Sequence, residues 1–198
     1  SWLIFSDGFR KSPLKRVMKR TGDIVLSSIM LVMLSPMILI TAILIKIDSE
    51  GPVIFSQARV GQNGKSFNVH KFRSMVTDAE KSSGPVWASE DDDRVTRVGR
   101  VIRKLRIDEL PQLWNVFRGE MSLVGPRPLM TSYLERYSPE QARRHDVPPG
   151  ITGWAQINGW RGDTDLAKRI EHDLYYINHW SIWLDIKIIF LTFFNFRF

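Results

Sequence analysis

The sequence predicts an α+β protein, mostly helical, that is monotopic: it lies on one face of a membrane and dips into it without crossing. Three observations carry this. The 22-residue stretch Ile24–Ile45 has no charged residue, a Ser35-Pro36 pair near its middle and basic residues on both flanks. Residues 52–73 alternate in polarity around a Gly-Gln-Asn-Gly turn, the pattern of a small β-hairpin. The tail from Trp180 is strongly apolar, yet it carries Asp185 and Lys187 and is shorter than a span, which favours an interfacial helix over the competing reading, a second transmembrane helix. The predicted organisation is a basic interfacial segment over 1–22, a re-entrant membrane helix over 23–48 broken at Ser35-Pro36, and one further domain over 49–198.

Composition narrows the class of partner. The net charge of +7 calls for an anionic partner: a membrane surface, a phosphorylated substrate or nucleic acid. With no Cys, the chain has no disulfide, no thiolate zinc site and no Cys nucleophile, which suits a reducing compartment. Seven Trp and eleven Phe suit an interface between water and lipid. The apolar run is too long for the core of a secretory signal, and no small-residue cleavage site follows it. The first residue, Ser1, suggests the C-terminal portion of a longer protein.

Residues 10–22 read as a basic interfacial helix carrying Arg10, Lys11, Lys15, Arg16, Lys19 and Arg20. Each such cation near an anionic leaflet adds about 1 kcal/mol. The competing reading is a solvated basic linker. A helix over Ile24–Ile45 would be about 33 Å long, enough for a hydrocarbon core of about 30 Å. An ordinary spanning helix is therefore the competing reading here. Against it, basic flanks on both sides do not give the charge asymmetry that orients a span. Pro36 also removes a backbone donor and clashes with the Val32 carbonyl, and Ser35 can bond a carbonyl one turn back to stabilise a bend.

Downstream of the hairpin, residues 76–93 read as a polar loop ending in the acidic run Glu90-Asp91-Asp92-Asp93, a solvated loop or a metal site. In residues 94–106, Arg97, Arg100 and Arg103 share one helical face, either solvated or a phosphate-binding edge. Residues 108–118 follow as DELPQLWNVFR. Residues 131–147 read as a polar helix, 148–163 as an irregular Gly- and Trp-rich segment, and 164–179 as another helix.

The chemistry-bearing candidates follow from residue type. Asp108 and Glu109 are adjacent carboxylates, which share a site only at a helix start or bend, and Pro111 permits one. One carboxylate could be a phosphoryl nucleophile and its neighbour could hold Mg²⁺ against a diphosphate; a surface pair is the plain alternative. Arg127 sits between two prolines, so its loop is rigid and its planar guanidinium can grip phosphate. Lys71, Arg73, Arg103 and Arg161 are further candidate phosphate ligands, each with a surface-charge alternative. His70, His145, His172 and His179 show no metal spacing and read as structural or surface residues.

Taken in order, these motifs resemble the bacterial sugar transferases, the monotopic phosphoglycosyl transferases. The match runs through the Ser-Pro apolar helix, GPVIFSQARVG, KFRSM, RVTRVGRVIRKLRIDELPQLWNVFRGEMSLVGPRP and PPGITGWAQINGW, and covers nearly all of residues 14–198. The resemblance implies transfer of a sugar 1-phosphate from a UDP-sugar to undecaprenyl phosphate, on the cytosolic face of the bacterial inner membrane and among its lipids. UMP is released, and exopolysaccharide, O-antigen or capsule assembly begins. It implies Asp108 as the nucleophile of a covalent phosphosugar intermediate, Glu109 as a ligand of Mg²⁺, Pro126-Arg127-Pro128 as the family's PRP motif and Ser35-Pro36 as its membrane break. The ending resembles larger exopolysaccharide-type members, which often use UDP-glucose or UDP-galactose. No nucleic-acid partner is implied, and a homo-oligomer is compatible. The competing function is a non-enzymatic basic scaffold on the membrane or a binder of anionic lipid; the rigid PRP loop and the carboxylate pair are more than charge-driven binding requires. No residue identifies the sugar or the glycan pathway.

Overall fold

The computed structural model describes residues 13–77, 79, 92–162 and 164–194. Of the predicted basic segment, residues 1–12 therefore lie outside the described residues, as do Glu90 and Asp91 of the acidic run.

Helix α1 (Pro13–Met33) is continuous through the basic stretch and the first half of the apolar run, so no break separates residues 22 and 23. Helix α2 (Ser35–Asp48) follows after Leu34, bent by 60° from α1. The cause of the bend is local. Pro36 has no N–H for the Val32 carbonyl, and the Ser35 hydroxyl donates to that carbonyl instead at 2.7 Å. On either side the ladder resumes, with Leu34 N–H donating to Met30 and Ile38 N–H to Leu34. No single described helix is long and apolar enough to cross a membrane; the bent pair together has the length and composition to do so.

Both helices bury polar side chains while leaving large apolar ones exposed. Helix α1 buries Asp23 and Ser27 while Val32 is 74% and Met33 73% exposed. Helix α2 buries Thr41 and Ile45 and exposes Leu39, Ile40, Ile43 and Ile47. Such a contiguous apolar surface marks an interaction face.

Strands β1 (Ile54–Val60) and β2 (Ser66–Phe72) form the predicted hairpin, paired antiparallel from Ile54 opposite Phe72 to Val60 opposite Ser66. Its connection is a short 3-10 turn in which Asn63 and Gly64 both take positive φ. Strand β2 is covered on both faces. Phe72 joins Ile45 of α2 and Ile102 of helix α3 (Arg97–Lys104), while Val69 joins Val116 of helix α4 (Gln112–Arg118) and Met121. Lys71 stands on the Val69 face, two residues along the pleat.

Strand β3 (Ser122–Val124) pairs in parallel with β4 (Gly150–Thr152). The backbones touch where Gly125 meets Gly150, and a Cβ on Gly150 would collide with the Gly125 nitrogen. This fixes the start of the Gly-Pro-Arg-Pro loop. The helix predicted over 131–147 does not form as one element. It is a 3-10 segment (Thr131–Arg136), a one-turn helix α5 (Pro139–Ala142) and a second 3-10 turn (Arg143–His145), because Ser138 caps a new start ahead of Pro139. Helices α6 (Trp154–Ile157), α7 (Leu166–Asn178) and α8 (Ile182–Phe194) complete the chain. Tyr176, Ile177, Trp180 and Ile188 build the largest core cluster on Val124 and Val147.

Two of the basic residues expected to meet lipid are instead used inward. Lys19 Nζ lies 2.6 Å from Asp185 Oδ2 and also donates to the Val124 carbonyl. Asp185 further accepts from the Tyr176 hydroxyl and Trp180 Nε1. Arg20 donates to the Val116 and Phe117 carbonyls at the C-terminal end of α4, where a cation is favourable. Together they clasp α1 to α8 and α4. Replacing Lys19 by Met leaves a buried carboxylate without its cation, and is expected to cost about 3–5 kcal/mol. Thermal or denaturant unfolding in detergent checks this; an unchanged midpoint would show that the clasp carries no stability.

Candidate active site

The sharp bend that brings Asp108 and Glu109 together comes from the residue before them. Helix α3 ends after Lys104, and Arg106 adopts φ 56°, ψ 20°, the left-handed region, before the 3-10 turn Ile107–Glu109. For a non-glycine residue this conformation costs of order 1–3 kcal/mol. Pro111 then opens α4 in the helical region. The two carboxylates thus leave the chain at a turn between helices rather than on opposite faces of one helix.

Glu109 is the hub. Its Oε1 lies 2.9 Å from Lys71 Nζ and 2.5 Å from Arg127 Nη2, with Arg127 Nη1 3.5 Å from Oε2. Burial opposes ionisation of Glu109, but Arg127 and Lys71 outweigh it and hold the carboxyl below the usual carboxylate range. Asp108 has no such ion pair of its own. Burial and the neighbouring Glu109 charge push it up to about 6, with Lys71, Arg103 and Arg127 pulling the other way. Two adjacent carboxylates are therefore separated into a fixed anion and a group that ionises just below neutrality.

The remaining predicted ligands divide. Lys71 and Arg127 are brought onto Glu109, and Arg103 is close enough to act on Asp108 through its charge. Arg161 donates from Nε to the Gln156 carbonyl and lines one cavity with Arg106 and Glu109. Arg97 and Arg100 are exposed, so the arginine face of α3 reaches the site only through Arg103. Arg73 is 6% exposed, and its guanidinium is taken up by the Ser49 and Glu50 carbonyls and the Ser49 and Thr77 hydroxyls. It closes the end of α2 onto the hairpin rather than joining Lys71 and Arg127 on Glu109. His70 pairs with Ser56, and His172 and His179 with main-chain carbonyls one turn back.

The PRP loop is held from behind by residues that carry no signal in the sequence. Arg144, 1% exposed, donates to the Arg127 carbonyl at 2.9 Å and to the Tyr137 hydroxyl at 3.2 Å, and pairs with Asp173 of α7 at 2.6 Å. Arg106 and Gln156 likewise escape a reading by residue type. Arginine is not a residue whose left-handed backbone announces itself in a sequence, and the Asp173 partner is 29 residues from Arg144.

For a divalent cation the donor set is partial. Among the described residues no cluster of three acidic or His side chains exists. Glu109 Oε1 is occupied by two cations, while Oε2 has only the longer Arg127 Nη1 contact at 3.5 Å. That set fits Mg²⁺ of the kind held by one or two carboxylates plus substrate phosphates and water, and does not fit a cage of protein ligands.

The shifted Asp108 predicts a linked stability effect. Its folded value of about 6 lies above the ordinary aspartate value of 3.8, so the charged form destabilises the fold at neutral pH and not in acid. Asp108→Asn is expected to be more stable than the parent by roughly 1–3 kcal/mol above pH 7, with the difference gone below about pH 4. Melting curves across pH check this; a difference independent of pH would contradict the assigned strain.

Comparison with known proteins identifies the family. The bacterial sugar transferase family matches residues 14–198. A UDP-glucose:undecaprenyl-phosphate glucose-1-phosphate transferase of Klebsiella pneumoniae is 52% identical over 186 residues, covering 90% of this chain and 40% of that protein. A UDP-N-acetylgalactosamine-undecaprenyl-phosphate N-acetylgalactosaminephosphotransferase of Aeromonas hydrophila is 48% identical, covering 91% of this chain and 44% of its own length. A UDP-glucose:undecaprenyl-phosphate glucose-1-phosphate transferase of Caulobacter vibrioides is 45% identical, covering 91% of this chain and 71% of its own. The chain thus spans less than half the length of the first two relatives and most of the third. On the extent of the family match and of these identities, the chain belongs to the bacterial sugar transferase family.

Proposed function

We propose that the protein transfers a sugar 1-phosphate from a UDP-sugar to undecaprenyl phosphate through a covalent intermediate on Asp108. The observation that carries the proposal is the pairing of Asp108, held near pH 6 by burial and Glu109, with a carboxylate locked between Lys71 and Arg127. The relatives named for glucose 1-phosphate transfer to undecaprenyl phosphate supply the substrate class. UDP-glucose or UDP-galactose is the favoured donor. The relative named for N-acetylgalactosamine, at similar identity, keeps the sugar a matter for assay.

The steps follow from charge and position. Lys71 and Arg127 are fixed by Glu109 with N–H groups left over for the donor's diphosphate, and Arg103 and Arg161 add positive charge around it. Ionised Asp108 attacks the phosphorus next to the sugar. Its new bond to oxygen forms as the bond to the bridging oxygen breaks, and UMP leaves with that electron pair. A phosphate oxygen of the lipid then attacks the same phosphorus, the aspartyl bond breaks, and Asp108 is returned as a carboxylate. Glu109, with Asp108 nearby, would hold Mg²⁺, which would supply positive charge against the donor's diphosphate. Arg144, through the Arg127 carbonyl, keeps the PRP loop from moving during both transfers.

The acceptor's lipid nature gives the exposed apolar helices a role. We place α1 and α2 as a re-entrant pair entering the cytosolic leaflet of the bacterial inner membrane and returning to the same side, with α8 at the interface. The 60° bend and the exposed apolar faces support this reading. The Lys19 and Arg20 contacts add to it, because they tie the start of α1 to the same body that α2 rejoins at Ile45.

Asp108→Asn is expected to lower UMP release in the presence of undecaprenyl phosphate by at least about 10³-fold while membrane binding is kept. Retained turnover would exclude the covalent role. For the parent, turnover should rise through an apparent pKa of about 6 and level off above it, since only ionised Asp108 attacks. A rate flat from pH 5 to 8 would contradict this. Topology is tested in a chain that has no natural Cys: single cysteines replacing Lys15 and Lys46 should react with an impermeant maleimide from the same side of the membrane. Reaction from opposite sides would make the pair a span.

A further inference from the structure

The cavity that Glu109 shares with Arg106 and Arg161 is not primarily a polar one. It has a volume of about 390 Å³, and apart from those charged residues and Thr152, Gln156 and Thr192 its walls are apolar. One wall is α1, through Leu26 and Met30; the facing wall is α8, through Ile189 and Phe193. Leu26 is 45% and Phe193 63% exposed, so the walls continue into the exposed apolar faces of both helices. A nucleotide, with its hydroxyls and heteroatoms, would leave most of its polar groups unpaired against such walls. A hydrocarbon would not.

At the charged end there are two signs of a missing anion. Arg161 is partly buried, and burial with the Arg106 and Arg127 charges weighs against its protonated form more than the Glu109 carboxylate supports it, so a further anion between these guanidinium groups would relieve the repulsion. Gln156, 6% exposed, also lines the cavity; it donates through Nε2 to the Ile151 carbonyl, while its buried Oε1 has no hydrogen-bond donor. A buried acceptor without a donor calls for a hydroxyl. A phosphate monoester offers both features, since it carries negative charge and, with a second pKa near 6, retains a proton part of the time.

We infer that this cavity seats the isoprenoid phosphate acceptor: its phosphate lies at Arg106, Arg161 and Gln156, and its first isoprene units lie between α1 and α8. The inference rests on the function proposed above and adds a division of labour to it. Lys71 and Arg127 hold the far side of Glu109 and face the donor, while Arg106 and Arg161 face the acceptor. The acceptor would enter sideways from the leaflet, and the clasp between Lys19 and Asp185 would keep the two walls at a fixed separation.

The test is photo-crosslinking in nanodiscs of phosphatidylethanolamine and phosphatidylglycerol, using a polyprenyl phosphate with a diazirine on an early isoprene unit. Label is expected on the α1 segment around Met30 and on the α8 segment around Ile189. It should be competed by undecaprenyl phosphate and not by added phosphatidylglycerol. Met30→Trp, which fills the cavity, should cut the label and raise the acceptor KM by about tenfold with kcat little changed. Ile189→Trp on the facing wall serves the same purpose should the first variant not fold. Label confined to other segments, equal competition by bulk phospholipid, or an unchanged KM in both folded variants would overturn the inference. Labelling reads binding alone. Correct labelling without UMP release from any donor would therefore overturn the proposed reaction and leave the lipid site standing.

Discussion

The site depends on one buried carboxylate. Glu109 draws together a strand residue, Lys71 of β2, and a loop residue, Arg127 of the PRP turn, which are separated by 56 positions in the chain. Its negative charge is held there by both cations, and its carboxylate in turn fixes the ends of both side chains. A buried group with this much compensation is costly to break from either side. Burial and the same charge raise Asp108, so Glu109 both anchors the cations and adjusts its neighbour.

Around that anchor the fold supplies rigidity in proportion to need. The PRP loop is fixed by prolines, by the close Gly125–Gly150 approach and by Arg144 from behind. Arg144 is itself held by Asp173, so α7 reaches the site without contributing a residue to it. The left-handed turn at Arg106 is a strained element, held in place by α3 on one side and the Pro111 start of α4 on the other. On the membrane side, the bend at Ser35-Pro36 lets α2 return to the hairpin and bury Ile45 against Phe72 and Ile102. The apolar surfaces that would face lipid and the polar groups that would face phosphate thus meet at one cavity.

Much of this is legible in the sequence because its causes are local. Proline chemistry makes the break at Ser35-Pro36 readable, and alternation with an Asn-Gly turn makes the hairpin readable. The adjacent carboxylates and the proline-flanked Arg127 announce themselves by residue type. What escapes is the direction taken by long charged side chains. Lys19, Arg20 and Arg73 look like residues for lipid or phosphate, and each instead closes carbonyls or a carboxylate within the fold. Their number and spacing are the same in either case; only tertiary neighbours decide. The segment 131–147 departs from a single helix for a more local reason: its polar composition suits one, but the cap and proline at Ser138-Pro139 interrupt it. The left-handed Arg106 and the long-range Arg144–Asp173 pair leave no local trace.

The central claim is that Asp108 carries the sugar phosphate between donor and acceptor. The most direct measurement is the intact mass of the protein after incubation with Mg²⁺ and a UDP-sugar in the absence of lipid, followed by fragment mapping. The expected result is an added sugar phosphate on Asp108, which disappears when undecaprenyl phosphate is supplied and never forms in Asp108→Asn. Lipid-dependent UMP release with no adduct under any condition would mean that donor and acceptor react directly, and that Asp108 is not the nucleophile.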